Sequence, residues 1–222
     1  MIRTAFTSLA LGGAVVGAAW SEEDAALPAS PPIDEISQDQ DFSQAAIEIA
    51  GWIIATRDNG AFPFAVIDKS AAQILVFGPD GALRGAAPGL FGSAVGDHTL
   101  PGVADLPLSQ IPAEDRTTPA GRYVGGFGPA AGGKKVLWVD YASAVAIHAV
   151  ATGNPAEKRA ERLASPSPDD NRITHGCINV STDFFEKVVG PVFTAGGLFY
   201  ILPDAAPLSE TFPRFALTGG GR

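Results

Sequence analysis

Cysteine and positive charge are both scarce in this chain. It carries one cysteine and three histidines in 222 residues, and 15 Lys and Arg against 24 Asp and Glu, for a formal net charge of -9. A single cysteine excludes a disulfide within the chain, and one sulfur with so few histidines leaves a structural zinc site incomplete. The acidic balance excludes the basic patch that nucleic acid or an anionic lipid surface requires. Long apolar runs are missing too. Beyond the first 20 residues no segment approaches the roughly 20 consecutive apolar residues of a membrane span, and no internal repeat is visible.

What is abundant is punctuation: 26 glycines and 18 prolines, with 46% apolar and 18% charged residues. Many turns and irregular connections around one core imply a mainly β fold with a few short helices. Residues 1–20 read as a secretory signal, with Arg3 as a short positive region, an uncharged Ala5–Ala19 stretch, and Ala18 and Ala19 ahead of Ser21 to Asp24 as the cleavage zone. The mature protein is therefore expected in the periplasm or cell envelope, without stable membrane insertion. Residues 21–40 are rich in Pro, Ser and Asp and read as a linker. An N-terminal helix is expected within 41–60, because Ala46, Ile47, Ile49, Ala50, Ile53 and Ile54 recur at helical spacing between a cap at Asp41 or Ser43 and a stop at Arg57-Asp58-Asn59-Gly60.

The main domain is expected over 61–205, with 206–222 as a C-terminal tail. Phe64–Asp68 and Gln73–Phe77 read as a hairpin around Lys69-Ser70-Ala71, followed by a strand over Ala82–Ala87. Gly96–Arg116 is a long irregular connection, a length that usually flanks a binding cleft. Strands follow after the Thr117–Gly121 turn, at Val136–Tyr141 and at Ala144–Val150. Thr152–Asn171 is polar and reads as a surface insertion. Its Ala156–Leu163 part is helical, with Glu157, Lys158, Arg159, Glu161 and Arg162 on a solvated face. A helix is expected from Thr182 to Val189, stopped by Gly190-Pro191, and a last strand from Gly197 to Leu202.

The chemistry concentrates at Arg172 to Ser181, which holds the only cysteine, Cys177, just after His175-Gly176. An unpaired thiol in an oxidising compartment is a liability unless buried or used. A thiol is mostly protonated at neutral pH, so a cysteine nucleophile needs a base. His148 is the better candidate because a strand holds its ring rigidly; His175 lies two residues from Cys177 and fits a structural role as well as a catalytic one. His98 sits in the long loop and reads as solvated. Cys177 as an inert small hydrophobe, or His148 as a core histidine, are the readings without chemistry.

Thr174-His175-Gly176-Cys177-Ile178-Asn179-Val180-Ser181 resembles the His-Gly-Cys signature of L,D-transpeptidase (YkuD-like) catalytic domains. The Phe64–Phe77 hairpin, the Thr118-Pro119-Ala120-Gly121 turn and the Ile147-His148 strand fall in that family's order, so the resemblance covers about 63–203. It implies a β-sandwich carrying a thiol acyltransferase site that acts on peptidoglycan stem peptides and needs no cofactor or metal. On the matching positions, Cys177 would be the nucleophile and His148 the general base, with the Ala149 carbonyl orienting the ring. The backbone amides of His175, Gly176 and Cys177 would form the oxyanion hole, and the Asn179 amide would contact the donor. Thr174 keeps the hydroxyl of the family's usual serine. The chain departs in having His148-Ala149 where His-Gly is usual, and in a longer span between His148 and Cys177, absorbed by Thr152–Asn171. The implied product is a 3-3 cross-link. With water as acceptor the same site would be a carboxypeptidase or endopeptidase, and a third reading is an inactive wall-binding module.

Overall fold

The computed structural model describes residues 42–151 and 153–218. The signal segment and linker expected over 1–40 lie outside these residues.

Helix α1, Gln44–Thr56, starts where the Ser43 hydroxyl accepts the Ala46 N–H. It ends at Arg57, whose left-handed backbone (φ 53°) folds its N–H back onto Ile53 and Ile54. The Ser43 hydroxyl also donates to Asp68, which ties the helix start to the end of the first strand.

Ten strands follow: β1 (Phe64–Asp68), β2 (Gln73–Phe77), β3 (Leu83–Pro88), β4 (Phe91–Gly92), β5 (Gly121–Pro129), β6 (Lys135–Asp140), β7 (Val145–Ala149), β8 (Arg172–Thr174), β9 (Ile178–Val180) and β10 (Gly197–Ile201). Eight of them form one mixed sheet in the order β3-β2-β1-β10-β5-β6-β7-β9, while β4 pairs with β8. The β1/β10 and β7/β9 pairs are parallel. The long β5 changes partner midway: Gly121–Gly125 pairs with β10 and Gly126–Pro129 with β6. A Cβ on Gly125 would lie 2.0 Å from the Trp138 carbonyl oxygen, so the crossover requires a residue without one.

The two halves joined by β5 share one core. Ala65, Ile67, Ile74, Val76, Phe199 and Ile201 from one half meet Leu137, Val139, Val145, Ile147, Ile178 and Val180 from the other. The alternate residues of the first half, Phe64, Val66, Leu75, Phe77, Leu198 and Tyr200, point outward into a second core covered by α1 and by Phe212 and Phe215. Both faces of β1, β2 and β10 are thus buried, which is why their sequences are continuous apolar runs instead of alternating ones. This is the mainly β, sandwich-like architecture with few short helices expected from the sequence.

Three segments differ from the sequence reading. In 153–171, Pro155–Glu157 is a 3-10 turn and helix α2 is only Arg159–Leu163, because Lys158 between them takes a left-handed conformation (φ 49°). That kink turns Arg159 and Arg162 inward: Arg162 donates to the carbonyls of Glu157 and Asp170, leaving Lys158 and Glu161 exposed. Gly190-Pro191 does not stop the next helix. Thr182–Phe184, Phe185–Val189 and Gly190–Val192 form one rod, α3, whose middle turn is wide enough for the Gly190 N–H to reach the Phe185 carbonyl. The widened turn shifts the ladder just ahead of the missing Pro191 donor. Finally, the segment read as a tail carries helices α4 (Leu208–Thr211) and α5 (Pro213–Leu217), with Phe215 edge-on to Trp52 at 5.8 Å. No described helix is long and apolar enough to cross a membrane.

Candidate active site

Parallel pairing of β7 and β9 assembles the site. The register sets Ile147 opposite Ile178 and His148 opposite Asn179. Paired residues project to the same side of a sheet and alternate along each strand. Ile147 and Ile178 enter the shared core, so His148, Asn179 and Cys177, two residues before Asn179, share the opposite face. Cys177 and His148 line one cleft of about 370 Å³, with Trp138, Ala146 and Phe185 in its wall and the exposed Lys134 and Lys135 on its rim.

Hydrogen bonding fixes the state of each group. Arg159 Nη1 donates to Asn179 Oδ1 at 2.5 Å, and Asn179 Nδ2 lies 3.0 Å from His148 Nε2. His148 Nδ1 lies 2.9 Å from the Ala149 carbonyl oxygen. A guanidinium can only donate, so the Asn179 oxygen must face it and the amide nitrogen must donate to His148. Nε2 therefore carries a lone pair and Nδ1 carries the proton, donated to Ala149. The Ala149 carbonyl thus takes the Nδ1 proton, and the Nε2 lone pair of His148 is held by Asn179 in this arrangement. The Cys177 thiol, half-buried, donates to the Ala144 carbonyl at 3.4 Å.

Burial pushes the Cys177 thiol up, against the opposing pull of the Ala146 backbone and the Arg159 charge. Burial likewise pushes His148 down, outweighing the raising effect of the Ala149 carbonyl, with Arg159 and Lys134 adding to the depression. The free site thus pairs a neutral thiol with a neutral imidazole. His175 is also depressed, by burial and then by Arg116 and Arg159. It sits apart from the cleft, toward the long loop and Glu157. His98 is exposed in that loop.

Two depressed histidines carry a pH consequence. The unfolded chain takes up their protons near the ordinary value of 6.5, before the folded protein does. Their contribution to stability is complete above that value and is lost as pH falls below it. Urea midpoints are expected to be level from pH 8 to 7 and to decline between pH 6.5 and 5, before carboxylates titrate; His148→Gln should flatten part of that decline.

The turn before the cysteine is braced from both sides. The Thr174 hydroxyl donates to the Cys177 carbonyl at 2.6 Å and accepts the Gly176 N–H at 3.1 Å. This corrects the expected oxyanion hole: the Gly176 amide is spent inside the turn, leaving those of His175 and Cys177 as candidates. Thr118 donates to the Gly176 carbonyl at 2.9 Å and accepts the Gly92 N–H at 2.9 Å. Gly176 itself has φ 130°, and a Cβ there would lie 2.8 Å from the Thr117 carbonyl oxygen, so backbone and space both demand glycine. Asn179 is fully buried and also exchanges two backbone bonds with Leu90.

Arg159, Thr118 and Lys134 are the site residues that sequence reasoning did not single out. The Thr117–Gly121 turn was visible as a turn, but not as a brace. Arg159 could not be placed without the left-handed Lys158. Among the described residues, no three His, Cys, Asp or Glu side chains converge as a metal site.

No protein-family profile and no curated protein sequence matches the chain. Solved structures do align with it. The helical cell shape determining protein Pgp2 from Campylobacter jejuni is 17% identical with a TM-score of 0.44, over 65% of this chain and 49% of that protein, so the chain spans about half its length. The catalytic domain of the L,D-transpeptidase from E. faecium is 14% identical with a TM-score of 0.40, over 64% of this chain and 98% of that domain. An L,D-transpeptidase from Mycobacterium tuberculosis is 15% identical with a TM-score of 0.38, over 63% of this chain and 57% of that one.

Proposed function

We propose that the chain is an exported cysteine acyltransferase of the L,D-transpeptidase type, acting on peptidoglycan stem peptides. The observation that carries this reading is the cleft that Cys177 and His148 line together, with the imidazole proton fixed on Nδ1. A neutral imidazole that carries its lone pair on Nε2 is the form that can accept a thiol proton. The His-Gly-Cys signature supplies the substrate class.

In the proposed reaction His148 Nε2 takes the thiol proton as the sulfur attacks the carbonyl of the third stem residue. The amides of His175 and Cys177 receive the oxyanion. Collapse breaks the C–N bond to the terminal D-Ala, whose amine leaves with the proton from His148, and a Cys177 thioester remains. An amine from a neighbouring stem then attacks the thioester and gives its proton to His148. The thiolate departs, is reprotonated, and a 3-3 amide has formed. Water as acceptor would release a tripeptide through the same thioester.

The test is incubation with disaccharide-tetrapeptide and, separately, with a carbapenem, both read by mass spectrometry. The expected result is a carbapenem adduct on Cys177 that Cys177→Ser abolishes, together with either dimer or tripeptide. Dimer identifies the transferase and tripeptide the hydrolase. A folded protein giving neither adduct nor product overturns both and leaves a wall-binding module.

A further inference from the structure

In the resting site the base does not face the nucleophile. The lone pair of His148 Nε2 is taken by Asn179, and the hydrogen of Cys177 by the Ala144 carbonyl. Asn179 is held in that orientation by Arg159, which comes from the segment between His148 and the cysteine turn. Were the guanidinium to leave, the Asn179 amide would lose the interaction that fixes its oxygen away from His148, and could turn.

The other partner of Arg159 indicates what would draw it away. Its Nε donates to the Glu157 carboxylate at 2.5 Å, and the Glu157 side chain is 32% exposed against 15% for that of Arg159. A carboxylate from solution can replace Glu157 like for like, because Glu157 can return to water at little cost. The rim of the cleft carries Lys134 and Lys135, both positive, in a chain whose net charge is -9. An anion is the ligand that such a rim collects.

We infer that Arg159 is a positioning residue: it holds Asn179 on the catalytic base, and a carboxylate on the donor peptide, by engaging the guanidinium, frees His148 Nε2 for the Cys177 thiol. The donor as the source of that carboxylate rests on the acyltransferase reading above; the Arg159–Asn179–His148 coupling does not.

Alkylation of Cys177 tests this without any acyl transfer. The rate with neutral iodoacetamide at pH 7 is measured by mass spectrometry in the unmodified protein, Arg159→Gln and Arg159→Lys. Loss of the positive charge alone would make the thiol harder to ionise and slow the reaction. Release of the base predicts the opposite sign, an increase of about fivefold, the value of one hydrogen bond. Arg159→Lys, which keeps the charge but not the fork to both partners, should fall between. Sodium acetate, against sodium chloride at equal ionic strength, should accelerate alkylation of the unmodified protein and leave Arg159→Gln unaffected. A rate unchanged or lowered in Arg159→Gln overturns the positioning role. No response to acetate in the unmodified protein overturns release by a carboxylate, and that arm stands even if a variant fails to fold. A protein that shows the coupling but forms no carbapenem adduct would retain this inference and lose the proposed function.

Discussion

Lys69→Met is expected to lower the unfolding free energy by about 3–5 kcal/mol, the cost of breaking a buried ion pair by removing one partner. The Lys69 side chain is fully buried, with Nζ at 2.8 Å from the Gly96 carbonyl, 3.1 Å from Asp97 and 3.2 Å from Asp204. Arg172 also binds Asp204, at 2.6 Å, so one carboxylate keeps a partner. Burial works to raise Asp97, but backbone N–H groups of Ala206, Asp204 and Ala205, joined by Lys69, overcome it and hold its carboxyl down at about 2. Methionine fills the volume of the lysine stem while leaving both carboxylates without the ammonium, so the loss reports charge and not a cavity. Thermal melts should show a drop of roughly 10 °C, from about 2–4 °C per kcal/mol at this size. Lys69→Met combined with Asp97→Asn should cost less than the sum of the singles, because they share one interaction. A single-mutant loss under about 1 kcal/mol would place the network among surface ion pairs of little consequence.

That network also reaches the site. It anchors Gly96 and Asp97 at the start of the long loop, and the loop ends at Arg116, Thr117 and Thr118. A Cβ on Gly92 would lie 2.3 Å from the Arg116 carbonyl oxygen, and Thr118 holds the Gly176 turn. The loop length suggests a cleft nearby, and Thr118 braces the turn before Cys177.

The parts of the fold legible in sequence are those decided by local pattern. Ser43 caps a helix whose apolar stripe repeats at helical spacing, and β1, β2 and β10 are apolar runs bounded by turn residues. The parts that were not legible depend on a single backbone angle or on distant partners. Lys158 is not a residue that favours positive φ, so nothing in its identity announces the kink that turns Arg159 inward. Gly190-Pro191 has the composition of a stop, yet a widened helical turn absorbs the missing donor. Phe212 and Phe215 lie in short, proline-broken pieces whose burial depends on α1. The candidate site divides in the same way. Cys177 and His148 stand out by rarity and residue type, whereas their meeting in one cleft follows from the parallel pairing of β7 with β9, strands kept apart in sequence by the 153–171 segment.

The register makes the largest functional effect expected for a histidine fall on His148. His148→Ala should slow carbapenem acylation of Cys177 about a hundred- to ten-thousandfold, the usual contribution of a positioned general base. His175→Ala should cost far less, because that ring lies outside the cleft that His148 and Cys177 line. The mutations also separate base catalysis from structural support. His148→Ala leaves Asn179 Nδ2 without its acceptor, yet Asn179 keeps Arg159 and its two backbone bonds to Leu90, so the fold should persist and the defect should appear in the acylation rate. With the base gone, the residual rate should climb with pH as far as the raised thiol titration allows, whereas the unmodified protein should level off once its depressed imidazole is neutral. Acylation kinetics from pH 5 to 9 for the three proteins read both features. A His175→Ala defect matching that of His148→Ala, or a His148→Ala profile superimposable on the unmodified one, would remove the strand-borne imidazole from the role of base.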